Sequence, residues 1–169
     1  MERRGRRFSF QGGIMADPNV LDHAFHLIMS QIVETGQAPH YWDLAGPLRC
    51  SVGEARQVVL DIMATGYPGT LYPGTDQIVW FPPLSSLPTQ YRITVDGQQK
   101  WYAQCGFEAL AVCWLFPRRV VHIDAPCLDC HSAVHLEMRD GQILRAQPDG
   151  IVGHLNRPWR LAPEDLPFT

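Results

Sequence analysis

The sequence predicts an α+β protein: an N-terminal three-helix, winged-helix-like module followed by a small antiparallel sheet packed on one buried helix. Three observations predict it. Apolar residues recur at helical spacing over residues 18–66, and glycines close the first and last of these runs. A proline-rich break, Pro82-Pro83-Leu-Ser-Ser-Leu-Pro88, then divides the chain. Beyond it, Asp96-Gly97 and Asp140-Gly141 each sit between strand-type runs, the signal of a tight hairpin. The long apolar run from Trp101 to Pro117 lies between the hairpins and supplies the buried helix.

Residues 1–17 carry Arg3, Arg4, Arg6 and Arg7, and no apolar segment follows them. They are expected to form a disordered basic extension rather than an export signal, so the protein is expected in the cytoplasm. The first helix is predicted over Pro18–Glu34, with Val20, Leu21, Ala24, Phe25, Ile28 and Ile32 on one side and Gly36 as its stop. A second follows over Tyr41–Leu48. Ser51-Val-Gly-Glu54 reads as a capping box opening a third, with Val52, Ala55, Val59 and Ile62 inward and Gly66 at its end. Gln77–Phe81 is the candidate strand of a wing. Residues 18–81 therefore form one module, residues 82–90 a linker and residues 91–157 a second domain.

In the second domain Tyr91–Val95 and Gln98–Tyr102 are predicted to pair across Asp96-Gly97. A helix follows over Ala103–Phe116, buried on most sides and stopped by Pro117. Val120–Ile123 is a strand, Ala133–Arg139 and Gln142–Ala146 form a second hairpin, and Ile151–Leu155 is a last short strand. Residues 158–169, with Pro158, Pro163 and Pro167, read as an irregular tail.

Composition narrows the function classes. The 169 residues are 46% hydrophobic and 18% charged, with a net charge of -3, which argues against a polyanion-binding protein. The candidate recognition helix, Val52–Thr65, holds a single base, Arg56, beside Glu54 and Asp61, whereas tracking phosphates needs several. Nucleic acid is therefore not an expected partner, and a structural use of the module is. No apolar run approaches the ~18 residues of a membrane span. Five cysteines, Cys50, Cys105, Cys113, Cys127 and Cys130, in a chain without an export signal favour free thiols or metal ligands over disulfides.

Two groups of residues carry candidate chemistry. Cys105 and Glu108 are three apart on the predicted helix and share a face. A thiol near a helix start is expected to have a lowered pKa, and a carboxyl in apolar surroundings to stay protonated and able to donate a proton. Spacing alone favours a packing role for both over this chemical one. The second group is Cys127-Leu-Asp-Cys130-His131, between two strands. Two thiols at this spacing can grip one soft or borderline metal ion, or simply face solvent in a turn. The haem-attachment reading of the same five residues is set aside for want of an export signal. His131 and His135 read as surface histidines, and Cys50 as a core residue.

Tyr102-Ala-Gln-Cys105-Gly-Phe-Glu108-Ala-Leu, followed by Phe116-Pro117, resembles the Tyr-Ala-x-Cys-Ala-x-Asp-x-Leu…Phe-Pro segment of the bacterial organomercurial (alkylmercury) lyases. The order of elements over residues 20–155 agrees with that family, and the specific part of the resemblance spans 101–130. The resemblance implies a lyase in which Cys105 is the thiolate that holds the mercury of an organomercurial and Glu108 the acid that protonates the departing carbon, with no cofactor. Two departures stand out. Glutamate replaces aspartate, which adds a methylene, and no cysteine follows Cys130, where the family carries a second essential one in a C-terminal segment. Cys113 lies about 12 Å along a helix axis from Cys105 and is turned by about 80°, so Cys127 or Cys130 is the expected source of a second thiol.

The expected partner is a small organometallic or thiophilic substrate, with a homodimer open. Two alternatives stand beside the lyase. One is a thiol-based soft-metal binding or sensing protein, with Cys105, Cys127 and Cys130 holding Hg(II), Cu(I) or Zn(II). The other is a Cys105-dependent enzyme acting on a small organic substrate.

Overall fold

The computed structural model describes residues 16–153. Most of the basic extension, Leu155 and the tail at 158–169 lie outside the described residues. Ala16 and Asp17, counted in the extension, belong to the fold: Ala16 is buried and its N–H donates to the Asp61 carboxylate at 2.7 Å, while Asp17 caps the first helix.

Helices α1 (Pro18–Thr35), α2 (Tyr41–Leu48) and α3 (Val52–Ala64) stand where the apolar spacing puts them. Gly36 ends α1 in the left-handed conformation that L-residues resist, and a Cβ there would meet the Lys100 carbonyl at 2.5 Å. The capping box of α3 is formed: Ser51 accepts from the Glu54 N–H, and Glu54 accepts from the Ser51 N–H at 2.8 Å. Such a cap is worth about 1 kcal/mol. Asp61 faces inward, against expectation, because it holds both Ala16 and the Gln57 amide; Val52 is exposed.

The strands are β1 (Thr70–Leu71), β2 (Ile78–Phe81), β3 (Leu84–Ser85), β4 (Arg92–Val95), β5 (Gln98–Ala103), β6 (Val121–Pro126), β7 (Ala133–Arg139) and β8 (Gln142–Gln147). They form one antiparallel sheet in the order β1-β2-β3-β5-β4-β6-β7-β8. Both hairpins turn as predicted, with Asp96, Gly97, Asp140 and Gly141 all at positive φ. At the second turn a Cβ on Gly141 would run into the Trp114 ring, so glycine is required there twice over.

The sheet is larger than the small one expected. Residues 82–90, read as a linker, carry β3, which pairs with β2 on one side and β5 on the other and carries the sheet across the division. The prolines bracket this two-residue strand instead of excluding it. Residues 151–153 form no strand.

The helix expected over Ala103–Phe116 is also shorter and less buried. Tyr102 and Ala103 are committed to the sheet through Ser85 and Leu84, and the Gln104 N–H goes to the Pro83 carbonyl. Helix α4 therefore begins at Gly106 and runs to Ala111, and a 3-10 turn, Val112–Leu115, completes the segment. Ala109, Val112 and Cys113 face the core, while Phe107 and Trp114 are exposed.

Helices and sheet share one core, with Ile28, Phe81, Ile93 and Val121 fully buried. Trp101 ties its parts together. Its indole N–H donates to the Ile32 and Val33 carbonyls at 3.0 and 2.9 Å, and its ring meets Phe116 edge-on at 4.8 Å. Replacing it with phenylalanine keeps an aromatic but leaves the end of α1 without its donor. Trp101→Phe is expected to cost about 1–3 kcal/mol in urea unfolding; a loss below ~0.5 kcal/mol would mean that water takes over the bond.

Candidate active site

The site is built where β5 leaves the sheet. Cys105 is extended (φ -146°, ψ 177°) and is the N-cap of α4, with Glu108 in the first turn. The sharp change from strand to helix puts the thiol and the carboxyl on the same end of the helix, both half-buried. The thiol feels the carboxyl: ionised Glu108 would raise the Cys105 thiol further.

Burial dominates the electrostatics. It pushes the Cys105 thiol above its ordinary value, against the pull of the Glu108 and Phe107 backbone amides on the sulfur. This corrects the expected lowering: the helix start is present but too weakly felt to offset desolvation. Burial likewise pushes the Glu108 carboxyl up, toward its protonated form.

Two tyrosines that no motif or spacing singles out wall this pair. Tyr91, buried just before β4, feels the Cys105 charge, and its ring lies 3.5 Å from where a Cβ on Gly106 would sit. The alanine that the family motif carries at this position would fit without strain. Tyr67, from the segment after α3, feels the charge of Glu108, and its hydroxyl donates to the Pro82 carbonyl at 2.7 Å. Burial and that charge push its phenol well above the usual range. Gln104 is buried next to Cys105, and its Oε1 has no hydrogen-bond partner among the described residues.

The remaining cysteines separate by environment. Cys113 is fully buried and donates to the Leu110 carbonyl at 3.1 Å, and Cys50 packs at the edge of the core. Cys127 and Cys130 share the tight turn between β6 and β7, closed by the Cys127 N–H to the Ser132 carbonyl at 2.8 Å and the His131 N–H to the Cys127 carbonyl at 3.0 Å. Hydrogen bonds from Ser132 and from Cys127 hold the Cys130 thiol below its ordinary value. Cys105, Cys127 and Cys130 are not gathered as one metal-binding group. Among the described residues a single set of three potential ligands has its atoms within 4.8 Å of one another, and it is His122, His135 and Glu137.

These environments order the thiols by reactivity. With iodoacetamide near pH 7, Cys130 is expected to be alkylated before Cys105, whose rate should keep climbing with pH after that of an ordinary thiol has levelled off. Peptide mass spectrometry reads this directly, and Cys105 reacting first at neutral pH would contradict the desolvation. Glu108 has a second consequence. Its folded pKa is raised, so its relative stability is fully present below the unfolded pKa and is lost as pH rises through the folded one. Glu108→Gln removes that loss, so its Tm relative to wild type should increase between pH 4 and pH 7. A pH-independent difference would mean that the carboxylate is solvated in the native state.

Comparison with known proteins bears on this geometry. Residues 84–164 match the family model of alkylmercury lyase. The fold is similar to the crystal structure of the mercury-bound form of MerB2, with a TM-score of 0.62 and 20% identity, over 79% of this chain and 62% of that one. No curated protein matches. The segment that bears Cys105 and Glu108 thus matches the alkylmercury lyase family model, and the fold is like that of MerB2.

Proposed function

We propose that this protein cleaves carbon–mercury bonds by protonolysis, with Cys105 as the thiolate that takes the mercury and Glu108 as the proton donor. The observation that carries the reading is the Cys105–Glu108 pair at the start of α4: thiol and carboxyl are half-buried together, and burial keeps the carboxyl toward its acid form. Mercury is the substrate's own metal. As it binds, it displaces the Cys105 proton, since a coordinating thiol is deprotonated outright. The Glu108 proton then passes to the carbon, and the carbon–mercury electron pair becomes the new carbon–hydrogen bond. Hg(II) stays on the Cys105 sulfur, and Glu108 regains its proton from solvent. Cys127 and Cys130 serve as the thiols that next receive the ion, in keeping with the preference of soft metals for thiolates.

In this reading residues 91–157 hold the chemistry, residues 82–90 carry the sheet across to them through β3, and residues 18–81 are a structural, winged-helix-like module. Arg56, the base on α3, is held by Asp76 at 2.6 Å, which supports that role over DNA contact. The five free thiols suit work in the cytoplasm. Among the described residues no helix is long and apolar enough to cross a membrane.

A second reading rests on the Cys127–Cys130 turn, whose lowered thiol suits soft-metal binding without cleavage. One experiment separates the two. The protein is incubated with an aryl- or alkylmercury compound and excess thiol, and hydrocarbon release is followed. Release is expected from wild type, none from Cys105→Ser, and about 10²–10⁴-fold less from Glu108→Gln. No release from folded wild type ends the lyase reading; tight mercury uptake without release would leave the binding protein.

A further inference from the structure

The open face of the sheet carries a side-chain cluster that the Cys105 chemistry does not use. On β6, Val121, Ile123 and Ala125 turn into the core, so His122 and Asp124 project from the opposite face. On β7, Leu136 and Met138 are buried, and His135 and Glu137 project with them. The register sets His122 opposite Glu137 and Asp124 opposite His135. The two imidazoles lie 5.8 Å apart, centroid to centroid, with their planes 31° from parallel.

The donors converge. Glu137 Oε1 is 3.5 Å from His135 Nε2 and 3.9 Å from His122 Nδ1. A tetrahedral ion with bonds of about 2.0–2.1 Å needs donor separations of about 3.3–3.4 Å; the two histidine–glutamate separations are within about 0.6 Å of that, and all three donor atoms lie within 4.8 Å of one another. The second observation is Asp124, whose carboxylate meets His135 Nδ1 at 2.8 Å. A carboxylate on one ring nitrogen fixes the tautomer and turns the lone pair of the other outward, the arrangement found behind metal-bound histidines. Arg145 lies beside the set, its Nη1 3.7 Å from the same Glu137 oxygen. The three donor side chains are 36%, 31% and 25% exposed, open enough for an ion to enter and for water to fill its remaining positions.

We propose that His122, His135 and Glu137 form a binding site for a divalent transition-metal ion of borderline softness, Zn(II) or Co(II) in class, with Asp124 orienting His135. Imidazole and carboxylate donors select such ions, whereas mercury prefers the thiols elsewhere in the chain. Arg145 competes with the ion for Glu137.

Co(II) titration followed by absorption tests the site, because thiolate ligands add an intense near-ultraviolet charge-transfer band that nitrogen and oxygen ligands lack. In the Cys105→Ser/Cys127→Ser/Cys130→Ser variant, one Co(II) per chain is expected with ligand-field bands alone, displaced by Zn(II). On that background His135→Gln and Glu137→Gln should weaken binding by more than about tenfold, and Asp124→Asn by about tenfold. Arg145→Ala should tighten binding, a gain that a misfolded variant cannot imitate. Were the serine variant not to fold, the same substitutions read in the ligand-field bands of the wild type would decide. Binding that His135→Gln and Arg145→Ala both leave unchanged overturns the site, as does the absence of nitrogen- and oxygen-bound cobalt.

Discussion

The indole of Trp101 is the contact on which the arrangement of the rest depends. It sits on β5, four residues before Cys105, and reaches three structures at once: the carbonyls at the end of α1, the core face of the sheet and Phe116 at the far end of the segment that holds α4. Around it Gly36 brings the end of α1 against the Lys100 backbone, and the Lys100 ammonium donates to the Glu34 carbonyl at 3.1 Å. The last carbonyls of a helix lack intrahelical partners and must find them elsewhere. Here a strand supplies the donors. The helical module is thereby fixed to the strand that delivers the reactive thiol.

That attachment explains why the acid–thiol pair is half-buried. Tyr67, in the N-terminal half, senses the charge of Glu108, and Tyr91, in the C-terminal half, senses that of Cys105. Desolvation has opposite consequences for the two proposed roles. It helps Glu108, because a carboxyl that stays protonated can give a proton away. It hinders a free Cys105 thiolate, so the thiol is better matched to an electrophile that brings its own positive charge and expels the proton on binding. A metal-centred substrate does this, and a neutral carbon electrophile does not.

What was legible in the sequence was local. The Ser51–Glu54 box, the Gly36 stop and the two Asp-Gly turns each depend on residues within a few positions of one another, and each is in the structure. What was not legible depended on pairing across long separations. Helix α4 starts late because Tyr102 and Ala103 pair with Ser85 and Leu84, a strand hidden among prolines. The motif around Cys105 was readable as a string, but the tyrosines beside it come from residues 67 and 91 and leave no periodic trace. His135 reads as a surface histidine until β6 is extended past Ile123 to include Asp124, and only the β6–β7 register then shows its partner.

That register is set by the other face of the sheet. Side chains alternate with a period of two, so a slip of one residue between β6 and β7 would carry every side chain of one strand to the wrong side. Val121, Ile123, Leu136 and Met138 are all buried, and such a slip would exchange two of them for charged or imidazole side chains. Burying an unpaired charge costs far more than a cross-strand polar pair returns. The apolar face therefore holds the histidines and carboxylates opposite one another whatever they bind. The same strand then runs out through Pro126 into Cys127, so β6 presents nitrogen and oxygen donors along its open face and a thiol at its end. If both proposed sites bind as argued, donor type alone would sort soft from borderline ions along one strand.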